Sequence, residues 1–181
     1  MSHILWTIGH STRPIDKFVA LLNAHHIQQL VDIRTIPRSR YNPQFNTEAL
    51  AHSLADATIS YQHVASLGGL RKPKKDSINT GWRNDSFRGY ADYMQTGEFW
   101  RALEALLADS REQRTAIMCA EAVPWRCHRS LIADAFVTRG YEVQHVMSET
   151  KADLHQLTSF ARVKNGLLHY PEPTGGPSLY R

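Results

Sequence analysis

Two cysteines and the polar residues near them are the groups of this sequence with the clearest capacity for chemistry. Cys119 is expected at the end of an apolar strand, and a helix is expected to open near Cys127. A helix start places backbone N–H groups and a positive dipole end beside the thiols, which favours a thiolate and binds anions. Glu121, His128 and Arg129 lie in the same run, so nucleophilic, acid–base and anion-binding groups occur together.

The spacing within this run differs from a known signature. The layout is similar to that of rhodaneses and cysteine phosphatases, in which a cysteine loop leads from a strand into an arginine and a helix. The phosphatase signature fixes the distance from cysteine to arginine, but here Trp125 stands at the required position and Arg126 lies one residue too far. Cys119 is therefore either a nucleophile in a different kind of site or a small core residue on a buried strand.

Polar residues also follow the first two predicted strands. His10 comes directly after the first strand, and Asp32 and Arg34 come at the end of the second. In an open parallel sheet, ligands bind outside the carboxyl ends of the strands, so these side chains are expected to meet the cysteine loop. Asp32 and Arg34 point to the same side of their strand. They form either part of a catalytic site or an internal ion pair that fixes the edge of the sheet.

The candidate site divides by role. The candidate catalytic residues are Cys119, Glu121, His128, His10 and Asp32. The candidate substrate-binding residues are Ser11, Arg34, Ser39, Arg40, Tyr90, Cys127 and Arg129. Tyr90 lies on a predicted helix, where it either closes over a ligand or packs with its hydroxyl reaching water. No metal site is expected, because the chain has two cysteines and no Cys-x-x-Cys spacing, and no cofactor is evident.

Short apolar runs alternate with amphipathic helical patterns along the chain, which indicates repeated βα units and a parallel sheet. Strands are predicted at 4–8, 30–33, 60–64, 115–120 and 142–146, the last of these being the final strand. A first helix is predicted to begin near residues 12–14, and further helices are predicted at 47–56, 87–94, 99–107, 126–139 and 151–163. Residues 68–85 are predicted to form a long loop that is functional or mobile.

The predicted fold is a three-layer α/β/α domain with a mostly parallel central sheet of about five strands, Rossmann-like or flavodoxin-like. This domain is predicted to span residues 1–150, with a helix and a Pro/Gly-rich tail over 151–181 that pack on it or are partly disordered. The chain has 181 residues and no apolar run long enough to cross a membrane. Its start does not resemble a secretion signal, so a cytoplasmic location is expected.

The net charge of +4 is unevenly placed and suits an anionic partner, from a nucleotide phosphate to a nucleic acid. The long basic loop combines cations with aromatic residues, the composition that binds single-stranded nucleic acid. Its candidate nucleic-acid residues are Arg71, Lys72, Trp82 and Arg83. A solvated basic surface is the alternative interpretation of this loop. The oligomeric state does not follow from the sequence.

Five motifs in chain order resemble the domain of unknown function 488 family. They are Thr7-Ile8-Gly9-His10-Ser11, Asp32-Ile33-Arg34 with Pro37, Ser39 and Arg40, Leu67-Gly68-Gly69-Leu70-Arg71, Tyr90 with Tyr93-Met94, and Met118-Cys119-Ala120-Glu121 with Cys127-His128-Arg129. The matches run from about residue 4 to residue 147, which is most of the chain. The resemblance implies a three-layered α/β fold but no established activity.

Three functions are compatible with these observations. The first is an enzyme that acts on a nucleotide, a nucleic acid or another phosphorylated substrate, with Cys119 or His128 as nucleophile or acid–base group. In this enzyme, Glu121 would orient His128 or relay its proton, and Arg34, Arg40 and Arg129 would hold the anion. The second is a nucleic-acid-binding module without catalysis. The third is a redox or ligand sensor that uses Cys119 and Cys127 as a reversible pair.

Overall fold

The computed structural model describes residues 2–174. Its strands are β1 (Ile4–Gly9), β2 (Gln29–Asp32), β3 (Ser60–His63), β4 (Thr115–Cys119), β5 (Glu142–Val146), β6 (Ala152–Leu154), β7 (Arg162–Lys164) and β8 (Leu167–His169). Its helices are α1 (Ile15–Ala24), α2 (Thr47–Asp56), α3 (Asp85–Tyr93), α4 (Gly97–Glu112) and α5 (Arg129–Thr138). Among these residues, no helix is long and apolar enough to cross a membrane.

The main sheet has six strands in the order β3-β2-β4-β1-β5-β6. The first five strands of the chain pair in parallel, and β6 is antiparallel to β5. β1 and β4 are apolar along almost their whole length because both faces of the sheet are covered by helices. The predicted mostly parallel α/β sheet is therefore confirmed, with one strand more than expected.

Two apolar cores lie on opposite faces of this sheet. Phe18, Leu22 and Leu54 of α1 and α2 pack against one face, together with Phe45. Helices α3, α4 and α5 cover the other face, with residues such as Tyr90. The arrangement confirms the predicted three layers, and it leaves the carboxyl ends of β1, β2 and β4 as a shared edge.

The predicted helix over 151–163 is wrong. The N–H of Met147 donates to the carbonyl of Lys151 at 2.9 Å, and this turn sends residues 152–154 back along β5 as β6. Without β6, β5 would be an edge strand with unpaired backbone N–H and C=O groups, and the pairing with β6 satisfies them. β5 is therefore not the final strand, and the short pair β7–β8 follows. Residues 171–174 have no regular structure, and the rest of the predicted tail lies outside the described residues.

Helix α5 begins later than the predicted residue 126. Pro124–Arg126 forms a turn of 3-10 helix, and Cys127 is extended with φ −130° and ψ 144°. An extended residue ends the turn, so the α-helix starts only at Arg129. This break places Cys127 and His128 at the entrance of the helix rather than within it.

The long loop over 68–85 is irregular, as predicted, and one buried carboxylate anchors it. Asp92 of α3 accepts hydrogen bonds from Lys74 N–H at 2.8 Å, from the Ser77 hydroxyl at 2.6 Å and from Asn79 Nδ2 at 2.8 Å. Three hydrogen bonds to one charged group hold the loop in one conformation. The loop is thus a fixed wall beside the strand ends.

Candidate active site

The carboxyl ends of three neighbouring strands form one edge, because β4 lies between β1 and β2. Gly9 is level with Cys119, and Asp32 is level with Met118. The N–H of His10 donates to the carbonyl of Cys119 at 2.9 Å. A cleft of about 640 Å³ opens at this edge and is lined from all three strand ends. We call it the first cleft.

Gly9 lets the loop after β4 cross close to β1. A Cβ atom at this position would overlap the backbone carbonyl of Glu121 and would lie 2.9 Å from the Cα of Ala122. Only a residue without a side chain fits such an approach. The glycine therefore determines where the loop that follows Cys119 runs.

The thiol of Cys119 is the partner of a buried arginine. Arg129 is only 1% exposed, and its Nη1 donates to Sγ of Cys119 at 2.7 Å. The same guanidinium donates to the carbonyls of Glu121 at 2.5 Å and Ala122 at 3.0 Å. Within residues 2–174, no carboxylate forms an ion pair with Arg129. Because an unpaired buried charge is costly, the thiol is the group placed to supply the compensating negative charge.

Cys127 is a second thiol beside the first. Its Sγ accepts a hydrogen bond from the backbone N–H of Arg129 at 3.4 Å and lies 3.6 Å from Nδ1 of His128. Burial alone would raise the pKa of Cys119, but the hydrogen bond with Cys127 and the charge of Arg129 outweigh it and lower this pKa to about 7. Burial and the neighbouring Cys119 raise the pKa of Cys127. The pair therefore loses its first proton from Cys119.

His10 connects the first cleft to a buried ion pair. Arg34 binds Asp32 through two hydrogen bonds, Nε to Oδ1 at 2.9 Å and Nη2 to Oδ2 at 2.7 Å. Its Nη1 lies 3.3 Å from Nε2 of His10, whose Nδ1 lies 2.7 Å from the carbonyl of Ser11. A carbonyl only accepts, so Nδ1 carries the proton and Nε2 accepts from Nη1 of Arg34. Burial lowers the pKa of His10 to about 4, which keeps the ring neutral.

The same carboxylate holds a tyrosine. The hydroxyl of Tyr61 donates to Oδ2 of Asp32 at 2.6 Å, and burial together with this hydrogen bond raises the pKa of Tyr61. Asp32 itself is fully buried and does not line the first cleft. Of the two interpretations of Asp32 and Arg34, the geometry is that of the internal ion pair.

His128 is fixed between strand, loop and helix. Its Nε2 lies 3.2 Å from the carbonyl of Ile33, and its ring centroid lies 4.9 Å from that of Tyr90. A Cβ atom on Gly69 would meet Nδ1 of His128 at 2.5 Å, so the glycine makes room for the ring. Burial lowers the pKa of His128 to about 4. The imidazole is therefore neutral near pH 7.

Most of the candidate residues meet at the first cleft. Its lining includes His10, Ser11, Arg34, Ser39, Cys119, Glu121, Cys127 and His128. Arg129, Asp32 and Tyr90 lie buried behind it, and the hydroxyl of Tyr90 donates to the carbonyl of Leu67 at 2.9 Å. Arg40 is exposed and outside the lining. The side chain of Glu121 accepts from the N–H of Ala122 at 3.1 Å, and among the described residues His128 forms no hydrogen bond with it.

The candidate nucleic-acid residues of the long loop differ in their burial and their contacts. Trp82 packs against Phe87 and Phe160, with ring centroids 5.0 and 4.9 Å away. The guanidinium of Arg71 lies 3.6 Å above the ring of Tyr93. Lys72 and Arg83 are exposed. Two of the four candidates are thus exposed cations, while the tryptophan takes part in the packing of the domain.

The first cleft also contains residues that sequence reasoning missed. Arg38, Asn42, Phe87 and Arg126 all line it. The phosphatase spacing does not identify Arg126, although its place next to Cys127 is a usable signal. Asn42 carried no signal in the sequence. Within residues 2–174, no three His, Cys, Asp or Glu side chains are arranged to hold a metal ion.

A family model described as "Domain of unknown function DUF488" matches residues 14–136, which is more than half of the chain. The matched segment contains Asp32, Arg34, both cysteines and Arg129, and it begins after His10. No curated protein and no solved structure matches the chain.

Proposed function

The chain belongs to the domain of unknown function DUF488 family, and we propose that it is an enzyme whose Cys119 thiolate attacks an anionic, phosphorylated substrate. The observation that carries this proposal is the thiol that lies 2.7 Å from the buried guanidinium of Arg129. An arginine stays charged at any physiological pH, and a buried charge needs an opposite charge nearby. A thiolate supplies that charge and is also the reactive form of cysteine.

The charges around the first cleft favour an anion. Arg38 and Arg126 line it, both are exposed, and neither forms an ion pair within the described residues. Glu121 is the acidic residue in the lining. Arginine binds phosphate oxygens through paired hydrogen bonds, so two free guanidinium groups suit a phosphoryl group. A nucleotide, a nucleic acid or another phosphorylated compound has the required chemistry.

The chemistry that follows is a nucleophilic displacement in two steps. The thiolate of Cys119 forms an S–P bond while the P–O bond to the leaving group breaks, and the departing oxygen takes a proton from water or from Glu121. Water then attacks phosphorus, the S–P bond breaks, and phosphate leaves as the thiolate is restored. The carboxylate of Glu121, which lines the first cleft, is the base available for that water. Arg129 stabilises the thiolate when it departs.

A nucleic-acid-binding function without catalysis is the second candidate. It is favoured by exposed aromatic residues near the exposed arginines: Tyr41 is 88% exposed and Trp125 is 64% exposed. Bases stack on such rings while arginines contact the backbone. In that case oligonucleotide binding falls steeply with added salt and is independent of Cys119.

A redox sensor is the third candidate, favoured by the common partner of the two thiols: Arg129 donates from Nη1 to Sγ of Cys119 at 2.7 Å and from its backbone N–H to Sγ of Cys127 at 3.4 Å. Hydrogen peroxide would then oxidise the two thiols to one disulfide within the chain and would itself be reduced to two waters, without formation of a dimer. The disulfide would remove the negative partner of Arg129. Thiol counting and mass measurement after oxidation distinguish this function from the other two.

The proposed function is tested by screening phosphorylated and nucleotide compounds for phosphate release. Cys119→Ala is expected to lower the rate by about a thousandfold or more, and Cys127→Ala by less, since it keeps the nucleophile. Rapid quenching is expected to trap a phosphoryl group on Cys119, identified by mass spectrometry. Phosphate release that survives Cys119→Ala would contradict the proposal.

A further inference from the structure

A second cleft, of about 800 Å³, lies beside the first one. Its walls come from the end of the long loop and α3, from the turn before α5 and from the chain after β6. These walls include four large aromatic rings: Trp82, Phe87, Trp125 and Phe160. None of the steps proposed above uses this cleft.

Two histidines that line the second cleft belong to a buried chain of hydrogen bonds. The hydroxyl of Thr7 lies 2.6 Å from Nδ1 of His145, and Nε2 of His145 lies 2.9 Å from Nδ1 of His155. Nε2 of His155 lies 2.8 Å from Oδ1 of Asp134, whose Oδ2 accepts from the hydroxyl of Tyr170 at 2.8 Å. Every ring nitrogen of the two histidines is thus occupied.

This occupancy determines what the histidines offer to a ligand. Neither imidazole has a nitrogen left to donate or accept, so both rings present only carbon to the second cleft. The buried hydrogen bonds also hold the rings in place, since breaking one would leave an unsatisfied polar atom in the interior. The histidines therefore form part of a rigid, flat-sided wall.

The aromatic side chains of the second cleft are fixed by packing, except for Trp125. Trp82 packs edge-on against Phe87 and Phe160, with centroids 5.0 and 4.9 Å away, which preforms that side of the cleft. Trp125 is 64% exposed, an unusual state for so large an apolar ring. A planar ligand that enters the second cleft would cover Trp125 without moving the fixed wall.

The two clefts meet. Phe87 lines both of them. In the turn Pro124–Arg126, Trp125 lines the second cleft, and the next residue, Arg126, lines the first. A group held by Arg126 is therefore next to a group stacked on Trp125.

Polar side chains also line the second cleft. Arg83, Asn84, Asp153 and Gln156 are among its lining residues. Donors and acceptors around aromatic walls suit a flat ring with hydrogen-bonding edges, whereas an alkyl chain would leave them unmatched.

We infer that the second cleft binds the heterocyclic base of a nucleotide whose phosphate lies in the first cleft. This inference rests on the proposed function, since it takes the first cleft as the phosphate site. It narrows the substrate from phosphorylated compounds in general to those in which a phosphate is joined to a base. Stacking on Trp125 supplies the affinity for the base, and Arg126 and Arg38 hold the phosphate.

The test is calorimetric titration of the full chain carrying Cys119→Ser, so that bound nucleotide is not turned over. The ligands are the ribonucleoside 5′-monophosphates, the matching nucleosides and inorganic phosphate. At least one nucleotide is expected to bind about tenfold or more tightly than phosphate. Trp125→Ala is expected to remove that gain while leaving phosphate affinity unchanged, and Trp125→Phe to retain most of it. Ile78→Ala, also at an exposed position and outside both clefts, is the matched control and should change neither affinity.

The outcomes separate the two proposals. If phosphate binds but no base adds affinity, or if Trp125→Ala leaves nucleotide affinity unchanged, the inference is overturned and the proposed function stands. If Trp125→Ala instead dissociates an oligomer without affecting nucleotide affinity, the second cleft is a protein interface and the inference is likewise overturned. If neither phosphate nor any nucleotide binds, the anion site of the proposed function fails as well.

Discussion

The Nη1 atom of Arg129 lies 2.7 Å from the Sγ atom of Cys119, and this contact joins the start of α5 to the end of β4. The arginine is buried and has no carboxylate partner within the described residues. The thiol is therefore an electrostatic partner as well as a candidate nucleophile. Stability, pH dependence and reactivity should all depend on the same pair of residues.

Removing the Cys119 sulfur should destabilise the protein more than removing the neighbouring one. Cys119→Ala leaves a buried guanidinium without its partner, and we expect the free energy of unfolding at pH 8 to fall by about 3 kcal/mol. Cys127→Ala, equally buried, removes a neutral thiol and should cost about 1 kcal/mol. Urea unfolding followed by circular dichroism measures both. Equal losses would show that Arg129 does not depend on the thiolate.

Acid should destabilise the protein through its buried histidines. Burial lowers the pKa of His10 and His128 to about 4 and that of His145 to about 3. Between pH 6.5 and 4 the unfolded chain binds protons that the folded chain does not, so the free energy of unfolding rises with pH in this window. This stability is present above pH 6.5 and is lost as pH falls.

The histidine effect is measured by urea unfolding at several pH values between 7 and 4.5. His128→Gln should flatten the pH dependence, because it removes one of the groups that titrates differently in the two states. His52→Gln is the matched control, since His52 is 81% exposed. The same slope in wild type and His128→Gln would count against a buried neutral His128.

The ion pair beneath His10 should be a major contributor to stability. Asp32→Asn removes the charge that Arg34 needs while keeping the shape of the side chain, and we expect a loss of about 3 kcal/mol. Asp85→Asn disrupts the exposed ion pair with Arg88 and should cost less than about 1 kcal/mol. Comparable losses from the two variants would mean that the Asp32–Arg34 pair is not desolvated.

Gly9 should be sensitive to the smallest side chain. Gly9→Ala pushes a methyl group into the carbonyl of Glu121, which also accepts from Arg129, so the variant should lose about 2 kcal/mol and react more slowly at Cys119. Gly97→Ala is the control, because its Cβ would meet only the mobile end of Arg101, at 3.2 Å. Normal thiol reactivity in Gly9→Ala would show that the loop adapts without moving Arg129.

Much of the fold could be predicted because its patterns are local. The alternation of buried strands with amphipathic helices identified the parallel sheet, and helix α2 begins and ends as predicted. The segment over 151–163 could not be predicted in this way. Its apolar residues Leu154 and Leu157 are exposed, so their spacing does not mark the buried face of a helix. Its structure is determined by pairing with the edge of β5.

The location of the site could be predicted from the sequence, but the contacts between its side chains could not. Parallel strands bring their carboxyl ends together, so His10, Asp32 and Cys119 were expected at one edge. Which group faces which depends on where α5 begins. The turn before α5 places Arg129, rather than Arg126, on the thiol of Cys119. The sequence spacing alone contains no information on that turn.

The pH dependence of Cys119 alkylation tests the central claim most directly. The full chain is treated with iodoacetamide at a series of pH values, and modification of each cysteine is followed by mass spectrometry. We expect the rate at Cys119 to have its midpoint near pH 7, because the pKa of Cys119 is about 7, and phosphate to slow the reaction. Arg126→Gln should keep this midpoint, whereas Arg129→Gln should raise it toward the value of an ordinary thiol, about 8.5. A midpoint at or above about 8.5 in the wild type, or reaction only after unfolding in urea, would contradict a thiolate paired with Arg129.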